Sequence, residues 1–158
     1  MARRVVLGLG NLLMGDEGIG VHAVRQLDPE QMPTDVDVVD GGTSAFDLLP
    51  ILASADRVIV VDAVRGGHAP GTLYRVSMDA LGESGEPGTS LSLHQVSLQD
   101  VVEMAERLGV APSMTVIGVE PKRIETGMAL SAELRDAVPR IHGAIHRELG
   151  SFTNAARR

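Results

Sequence analysis

The chain has 158 residues, 44% of them hydrophobic and only 2% aromatic, so we expect a single domain over 1–158 with an aliphatic core. A formal net charge of −7 disfavours nucleic acid and anionic membranes as partners. The absence of cysteine excludes disulfides, thiolate metal ligands and a cysteine nucleophile. Without an apolar run of about 18 residues no transmembrane helix is predicted, and we expect a cytoplasmic protein.

Apolar runs alternate with segments of helical periodicity, a pattern typical of α/β proteins. Strands are predicted at 4–9, 35–39, 57–61, 71–76 and 113–119, the fourth of them alternating like an edge strand. Helices are predicted at 18–27, 44–53, 97–108 and 131–149. Residues 151–158 are expected to form a flexible tail.

The first strand runs into the glycine-rich segment GLGNLLMGDEGIG, residues 8–20. A dinucleotide fingerprint would need a third glycine where Leu13 stands, and a phosphate loop would need Lys-Ser/Thr where Asp16 and Glu17 stand. Two carboxylates oppose a polyphosphate and favour a cation. Asp40, at the end of the second strand, suits a ribose contact, which keeps a dinucleotide-binding oxidoreductase open as an alternative.

Polar residues cluster where the predicted strands end, and ligands of open α/β sheets bind beyond the carboxyl ends of the strands. The candidates are Asn11, Asp16, Glu17, Asp40, Asp62 and His94. Among them, Glu17, Asp62 and His94 provide two carboxylates and one imidazole from three separate loops. Such a set suits a borderline divalent cation and leaves coordination positions open.

Each of these residues also has an explanation that needs no ligand. Asp16 and Glu17 are suited to a helix N-terminus, Asp62 to bonding a neighbouring loop, and His94 to the surface. Two roles therefore stay open for Asp16, that of a helix cap and that of a residue that assists catalysis. A paired-carboxylate, aspartyl-protease-like site is also open, although D-G-G-T at 40–43 matches the Asp-Thr/Ser-Gly signature only loosely.

Five motifs together resemble the nickel–iron hydrogenase maturation endopeptidases over nearly the whole chain. They are G-x-G-N-x-L-x-x-D-E-G-x-G after the first strand, D-G-G-T after the second, an apolar strand ending in Asp-Ala, S-L-H before a helix, and I-G-V-x-P. The resemblance implies a three-layer α/β/α fold, with a twisted, mostly parallel five-stranded sheet flanked by helices. It places the metal contacts of the family at Glu17, Asp62 and His94.

The resemblance also implies an activity, the removal of a short C-terminal extension from the hydrogenase large-subunit precursor after nickel insertion. The cut is expected to follow a basic residue. Nickel, carried by the substrate, would be recognised by the three metal contacts, while the metal itself, Asp16 or Asp40 activates water. The alternative to cutting is a non-catalytic, nickel-dependent chaperone or checkpoint. The family commonly has Gln where this chain has Glu120, before Pro121.

Overall fold

The computed structural model describes residues 3–43, 45–77 and 98–156, and its five strands form one sheet. The strands are β1 (Arg4–Leu9), β2 (Val36–Gly42), β3 (Arg57–Ala63), β4 (Leu73–Ser77) and β5 (Ser113–Val119). Their order is β2-β1-β3-β5-β4, with β4 antiparallel to β5 and the other pairs parallel. The prediction of a mostly parallel five-stranded sheet is confirmed.

Helices cover both faces of this sheet. They are α1 (Ile19–Arg25), α2 (Leu49–Ser54), α3 (Leu98–Arg107) and α4 (Ala132–Ala156), with short 3-10 turns at Gly15–Gly18, Pro29–Gln31 and Ala45–Leu48. Helices α1 and α4 share one apolar core with the sheet, and α2 and α3 share the other. The molecule therefore has the predicted three layers, and none of the helices in its described part is long and apolar enough to cross a bilayer.

The alternation of side chains along the central strands explains why these strands appear in the sequence as unbroken apolar runs. In β3, Ile59 and Val61 face α1 and α4, while Val58 and Val60 face α2 and α3. All four are at most 1% exposed. Because both faces are covered, neither set of alternate positions tolerates polar residues, and the strand loses the apolar–polar alternation of a half-exposed strand.

Several predicted element bounds differ from the structure for local reasons. Strands β2 and β3 continue through Asp40 and Asp62, which are strand residues rather than loop residues. Helix α2 starts only at Leu49, so Pro50 falls in its first turn, where a missing N–H costs no hydrogen bond. Helix α4 runs to Ala156, so residues 151–156 are helical, and the flexibility of this segment stays a prediction. No glycine or proline follows Gly150 to stop this helix.

Helix α4 is fixed to the sheet by a partly buried ion cluster. Glu148 accepts hydrogen bonds from Arg57 on β3, at 3.1 Å, and from Arg75 on β4. The hydrogen bond from Arg75 and the charges of both arginines lower the pKa of Glu148, although burial opposes that shift. This anchor holds the helix whose other end, at Ser131, reaches the candidate site.

Candidate functional site

The strand order places a topological switch point between β1 and β3. The chain leaves β1 to form β2 on one side and then crosses back to form β3 on the other side. In open α/β sheets the crevice at the carboxyl ends of such a strand pair is the usual ligand site. Glu17 lies in the turn after β1, and Asp62 lies at the end of β3. The structure therefore puts two of the three predicted metal contacts at this crevice.

Glycines let the turn that carries Glu17 lie directly on the sheet. A Cβ added to Gly20 would lie 2.1 Å from the carbonyl oxygen of Val61, and one added to Gly8 would lie 2.3 Å from that of Gly20. At Gly8 and Gly20 the backbones of helix and sheet thus lie in direct contact, and the side chains of Ile19, Ala23 and Val24 on α1 pack against the sheet on either side. The glycines of the segment 8–20 provide close helix–sheet packing, and the phosphate cradle that their spacing suggests is not needed to explain them.

Asp62 is fully buried, with 0% of its surface exposed. Its side chain follows Val60 in the strand alternation and faces the layer of α2 and α3, where its Oδ1 accepts a hydrogen bond from the N–H of Ala63 at 2.7 Å. Its neighbour across the sheet is Gly118 on β5. A carboxylate is costly to bury unless it is hydrogen-bonded, paired or bound to a cation. The role of Asp62 as a metal contact stays a prediction.

The third predicted contact, His94, lies outside the described residues. Within 3–43, 45–77 and 98–156 no group of three or more His, Cys, Asp or Glu side chains is arranged to hold a metal ion. The donors that the structure does place at the crevice are two carboxylates, Glu17 in the turn after β1 and Asp62 on β3. This donor chemistry fits a divalent cation and requires further ligands from elsewhere.

Asp16 is held by a distant part of the chain. It is 1% exposed, and its carboxylate accepts hydrogen bonds from the N–H groups of Lys122, Arg123 and Ser131 and from the Ser131 hydroxyl. Burial alone would raise the pKa of Asp16, but these hydrogen bonds outweigh burial and lower it. Because Ser131 directly precedes α4, the carboxylate lies at the N-terminus of a helix other than its own, where a negative charge is favoured. The catalytic role of Asp16 stays a prediction.

Asp40 is likewise held by its neighbours. Its Oδ2 accepts two hydrogen bonds from Arg25 on α1, at 2.7 and 3.0 Å, and its Oδ1 accepts one from the N–H of Gly42 at 3.0 Å. The ion pair is partly exposed and contributes little to stability. Asp40 as a base stays a prediction, and the oxidoreductase alternative loses support because its ribose contact is already occupied by Arg25.

Glu120, where the family commonly has Gln, is an internal anchor. It is 5% exposed and accepts hydrogen bonds from the N–H groups of Gly66 and His68, at 3.1 and 2.8 Å, and from the Tyr74 hydroxyl at 3.1 Å. Burial raises the pKa of Tyr74, and the hydrogen bond to Glu120 raises it further, which keeps the phenol protonated as a donor. Three donors suit an acceptor-only carboxylate. The departure from the family pattern thus fixes the connection between β3 and β4.

His22 on α1 lies beneath the segment that Asp16 holds. Burial lowers its pKa, as does the positive charge of Arg25, and both outweigh a hydrogen bond with the backbone of Met128 that raises it. Among the described residues its Nε2 is buried without a hydrogen-bond partner. The folded protein therefore favours the neutral imidazole.

This preference predicts a loss of stability in mild acid. The unfolded chain takes up a proton at His22 near pH 6.5, above the lowered pKa of the folded state, so folding stability falls as the pH drops below about 6.5. We expect the melting temperature of a His22→Gln variant to vary less between pH 7 and 5 than that of the wild type. His146→Gln, on the exposed side of α4, is the control and should keep the wild-type slope. Equal slopes for all three proteins would contradict this prediction.

Known proteins match both the sequence and the fold. The family model for hydrogenase maturation protease matches residues 21–148, well over half of the chain. The chain belongs to the hydrogenase maturation protease family. Two relatives in this family are the hydrogenase expression/formation protein HupD of Rhodobacter capsulatus and the hydrogenase 2 maturation protease of Escherichia coli strain K12. The first is 42% identical over 125 residues and the second 36% identical over 135 residues.

These alignments cover 78% and 82% of this chain, and 59% and 79% of the respective relatives, so the chain spans less than two thirds of the length of HupD. Among solved structures, the hydrogenase maturating endopeptidase HybD from E. coli superimposes with a TM-score of 0.81 at 32% identity, covering 94% of this chain and 93% of that one. The maturation protease family and fold indicated by the sequence motifs are thereby confirmed.

One part of the candidate site was not predicted from the sequence. The segment 122–131 forms a wall beside the turn that carries Glu17, but it contains no metal-ligating or nucleophilic motif. Its only local signals are Gly127, which has a φ of 145°, and Ser131 in front of a helix. Neither indicates a contact with Asp16, more than 100 positions earlier in the chain.

Proposed function

We propose that this protein is an endopeptidase that removes the C-terminal extension of a nickel–iron hydrogenase large-subunit precursor after nickel insertion. The observation that carries the proposal is the placement of Glu17 and Asp62 at the crevice between β1 and β3 in a chain of the maturation protease family. Relatives named as proteases and a structural neighbour named as an endopeptidase support the reaction class.

The nickel ion belongs to the substrate in this proposal. Glu17 and Asp62, with His94, are the groups that bind it, and the binding holds the scissile peptide at the edge of the sheet. Such positioning replaces a bimolecular encounter by an oriented, local one, which is a large part of catalysis. Cleavage then adds water across the peptide bond: its oxygen joins the carbonyl carbon, the C–N bond breaks, and the leaving nitrogen takes up a proton.

A precursor without nickel lacks the ion that the carboxylates bind, so metal recognition makes cleavage conditional on metal insertion. Two carboxylates brought close together at one edge of the sheet would repel, and a cation bound between them removes that repulsion. A precursor with an empty metal site offers no such gain. The proposed site therefore discriminates between the two precursors by charge as well as by shape.

The proposal is tested by incubating the protein with purified large-subunit precursor in nickel-loaded and nickel-free forms. Intact mass spectrometry is expected to show the loss of a C-terminal peptide from the loaded form only. Binding without any mass loss would favour the checkpoint alternative and overturn the endopeptidase. Equal cleavage of both forms would keep the protease and overturn the recognition of nickel.

A further inference from the structure

Asp16 joins two segments that are far apart in the sequence. Its Oδ2 accepts hydrogen bonds from the N–H groups of Lys122 and Arg123, at 2.8 and 2.9 Å, and from the Ser131 hydroxyl at 2.8 Å. Its Oδ1 accepts a fourth from the N–H of Ser131 at 2.8 Å. One buried carboxylate thus holds both ends of the segment 122–131, which we call the clamped loop.

Backbone hydrogen bonds extend this attachment along the loop. Asp16 N–H donates to the carbonyl of Arg123 at 3.0 Å, and Gly15 N–H donates to that of Gly127 at 2.7 Å. Gly127 N–H in turn donates to the carbonyl of Leu13 at 2.9 Å. The turn that carries Glu17 and the clamped loop therefore form one hydrogen-bonded unit, to which Asp16 contributes a buried side-chain link.

The unit has an open side that faces solvent. A pocket of about 220 Å³ lies between the turn at Gly15 and Asp16 and the clamped loop. Met128, which lines this pocket, exposes 61% of its surface, and Leu13, whose carbonyl accepts the N–H of Gly127, exposes 59%. Two rigidly joined backbone segments, each with an exposed apolar residue, border the position of Glu17.

We infer that Asp16 is a positioning residue, which fixes the clamped loop against the glycine-rich turn and thereby sets the position of Glu17 toward the precursor. This inference rests on the proposed function. It differs from the base role because the carboxylate acts through the four donors it holds and does not contact the scissile peptide. A positioning role also explains why an acid is needed here: an acceptor-only group can satisfy four donors, whereas an amide cannot.

The test compares Asp16→Asn with Ser131→Ala, measured as kcat/KM for the nickel-loaded precursor and as amide hydrogen exchange. Asp16→Asn turns one acceptor into a donor facing other donors, and about a 50- to 100-fold fall in kcat/KM is expected. Ser131→Ala removes only the hydroxyl donor, so we expect about a 3- to 10-fold fall. In both variants exchange should rise at 13–17 and 122–131 and stay unchanged in β1, β3 and β5.

Ser151→Ala, an exposed serine on the same helix α4, is the matched control and should leave both measurements at wild-type values. If both variants fold and process the precursor at wild-type kcat/KM, the inference is overturned and Asp16 only stabilises the fold. It is equally overturned if Asp16→Asn loses activity while Ser131→Ala and the exchange of both loops stay unchanged, because Asp16 would then act chemically. A wild-type protein that fails to cut the precursor is the separate failure of the proposed function.

Discussion

A Gly20→Ala variant is expected to melt roughly 6–12 °C below the wild type, which corresponds to a loss of about 3 kcal/mol in the free energy of unfolding. The added Cβ would lie 2.1 Å from the carbonyl oxygen of Val61 and 2.3 Å from that of Leu9. Both are backbone atoms in the sheet, so no side-chain rotation relieves the contact. Helix α1 must move off β1 and β3, which opens a core that contains the fully buried Ile19.

The control is Gly143→Ala, also within a helix. A Cβ there meets only the end of the flexible Arg147 side chain, at 3.4 Å. Alanine is the better helix former by about 1 kcal/mol, so this variant should be as stable as the wild type or slightly more stable. Thermal unfolding followed by circular dichroism measures both variants. A shift of about 2 °C in melting temperature corresponds to roughly 1 kcal/mol or less. A Gly20→Ala protein that melts within about 2 °C of the wild type would contradict the close helix–sheet contact.

The same contact explains what the glycine-rich segment does. Its pattern of Gly8, Gly10 and Gly20 around Asp16 and Glu17 is similar to that of phosphate loops, because both need a tight turn between a strand and a helix. In this protein the helix approaches the sheet over Gly20, and the acids occupy the positions where a phosphate loop carries Lys and Ser/Thr. Local spacing therefore indicated a strand–turn–helix unit correctly, and the residue types predict that the unit binds a cation.

The strands were predictable because burial on both faces leaves a strong local signal, as in the run R-V-I-V-V. The extension of β3 through Asp62 was not predicted, since a carboxylate at the end of an apolar run usually marks the first loop residue. Its 0% exposure depends on layers contributed by distant parts of the chain. For Pro50 the sequence suggested a conflict, a proline inside a helix, that the structure does not have. The helix starts a few residues later than predicted, so Pro50 lies in its first turn.

The role of Asp16 was not predictable from local pattern because all of its side-chain partners lie more than 100 residues away. An acid at the start of a helical segment is ordinarily explained by that segment's own free N–H groups. Asp16 does lie at a helix N-terminus, as expected, but the helix is α4 and not α1. Only the packing of α1 and α4 on the same face of the sheet brings this pair together.

Glu17→Gln and Asp62→Asn are each expected to slow the cleavage of nickel-loaded precursor by about 30-fold or more in kcat/KM, since removing one charge from a desolvated ionic contact costs about 2–5 kcal/mol. Both substitutions keep the shape of the side chain. In Asp62→Asn the amide oxygen still accepts the N–H of Ala63, so the fold is retained. His94→Ala should have a similar effect on cleavage.

Controls for this prediction come from exposed residues of the same types. Glu30→Gln, in the turn Pro29–Gln31 at the other end of β2, and His146→Ala, on α4, should process the precursor at the wild-type rate. Peptide release is followed by mass spectrometry, and circular dichroism verifies the fold of each variant. Wild-type rates from Glu17→Gln and Asp62→Asn would falsify the assignment of both carboxylates to the substrate's metal.

The double variant Glu17→Gln/Asp62→Asn separates one shared ion from two independent contacts. If both carboxylates bind the same nickel, the first substitution already weakens the contact that the second would remove, so the two free-energy losses do not add. The loss in the double variant is then expected to be smaller than the sum of the single losses by about 0.5–3 kcal/mol. Independent contacts would give the product of the two single-variant factors. Two results together would tie the crevice between β1 and β3 to a single metal-recognition step. The free-energy loss of the double variant would be smaller than the sum of the two single losses, and the double variant would cleave nickel-loaded and nickel-free precursor at the same rate.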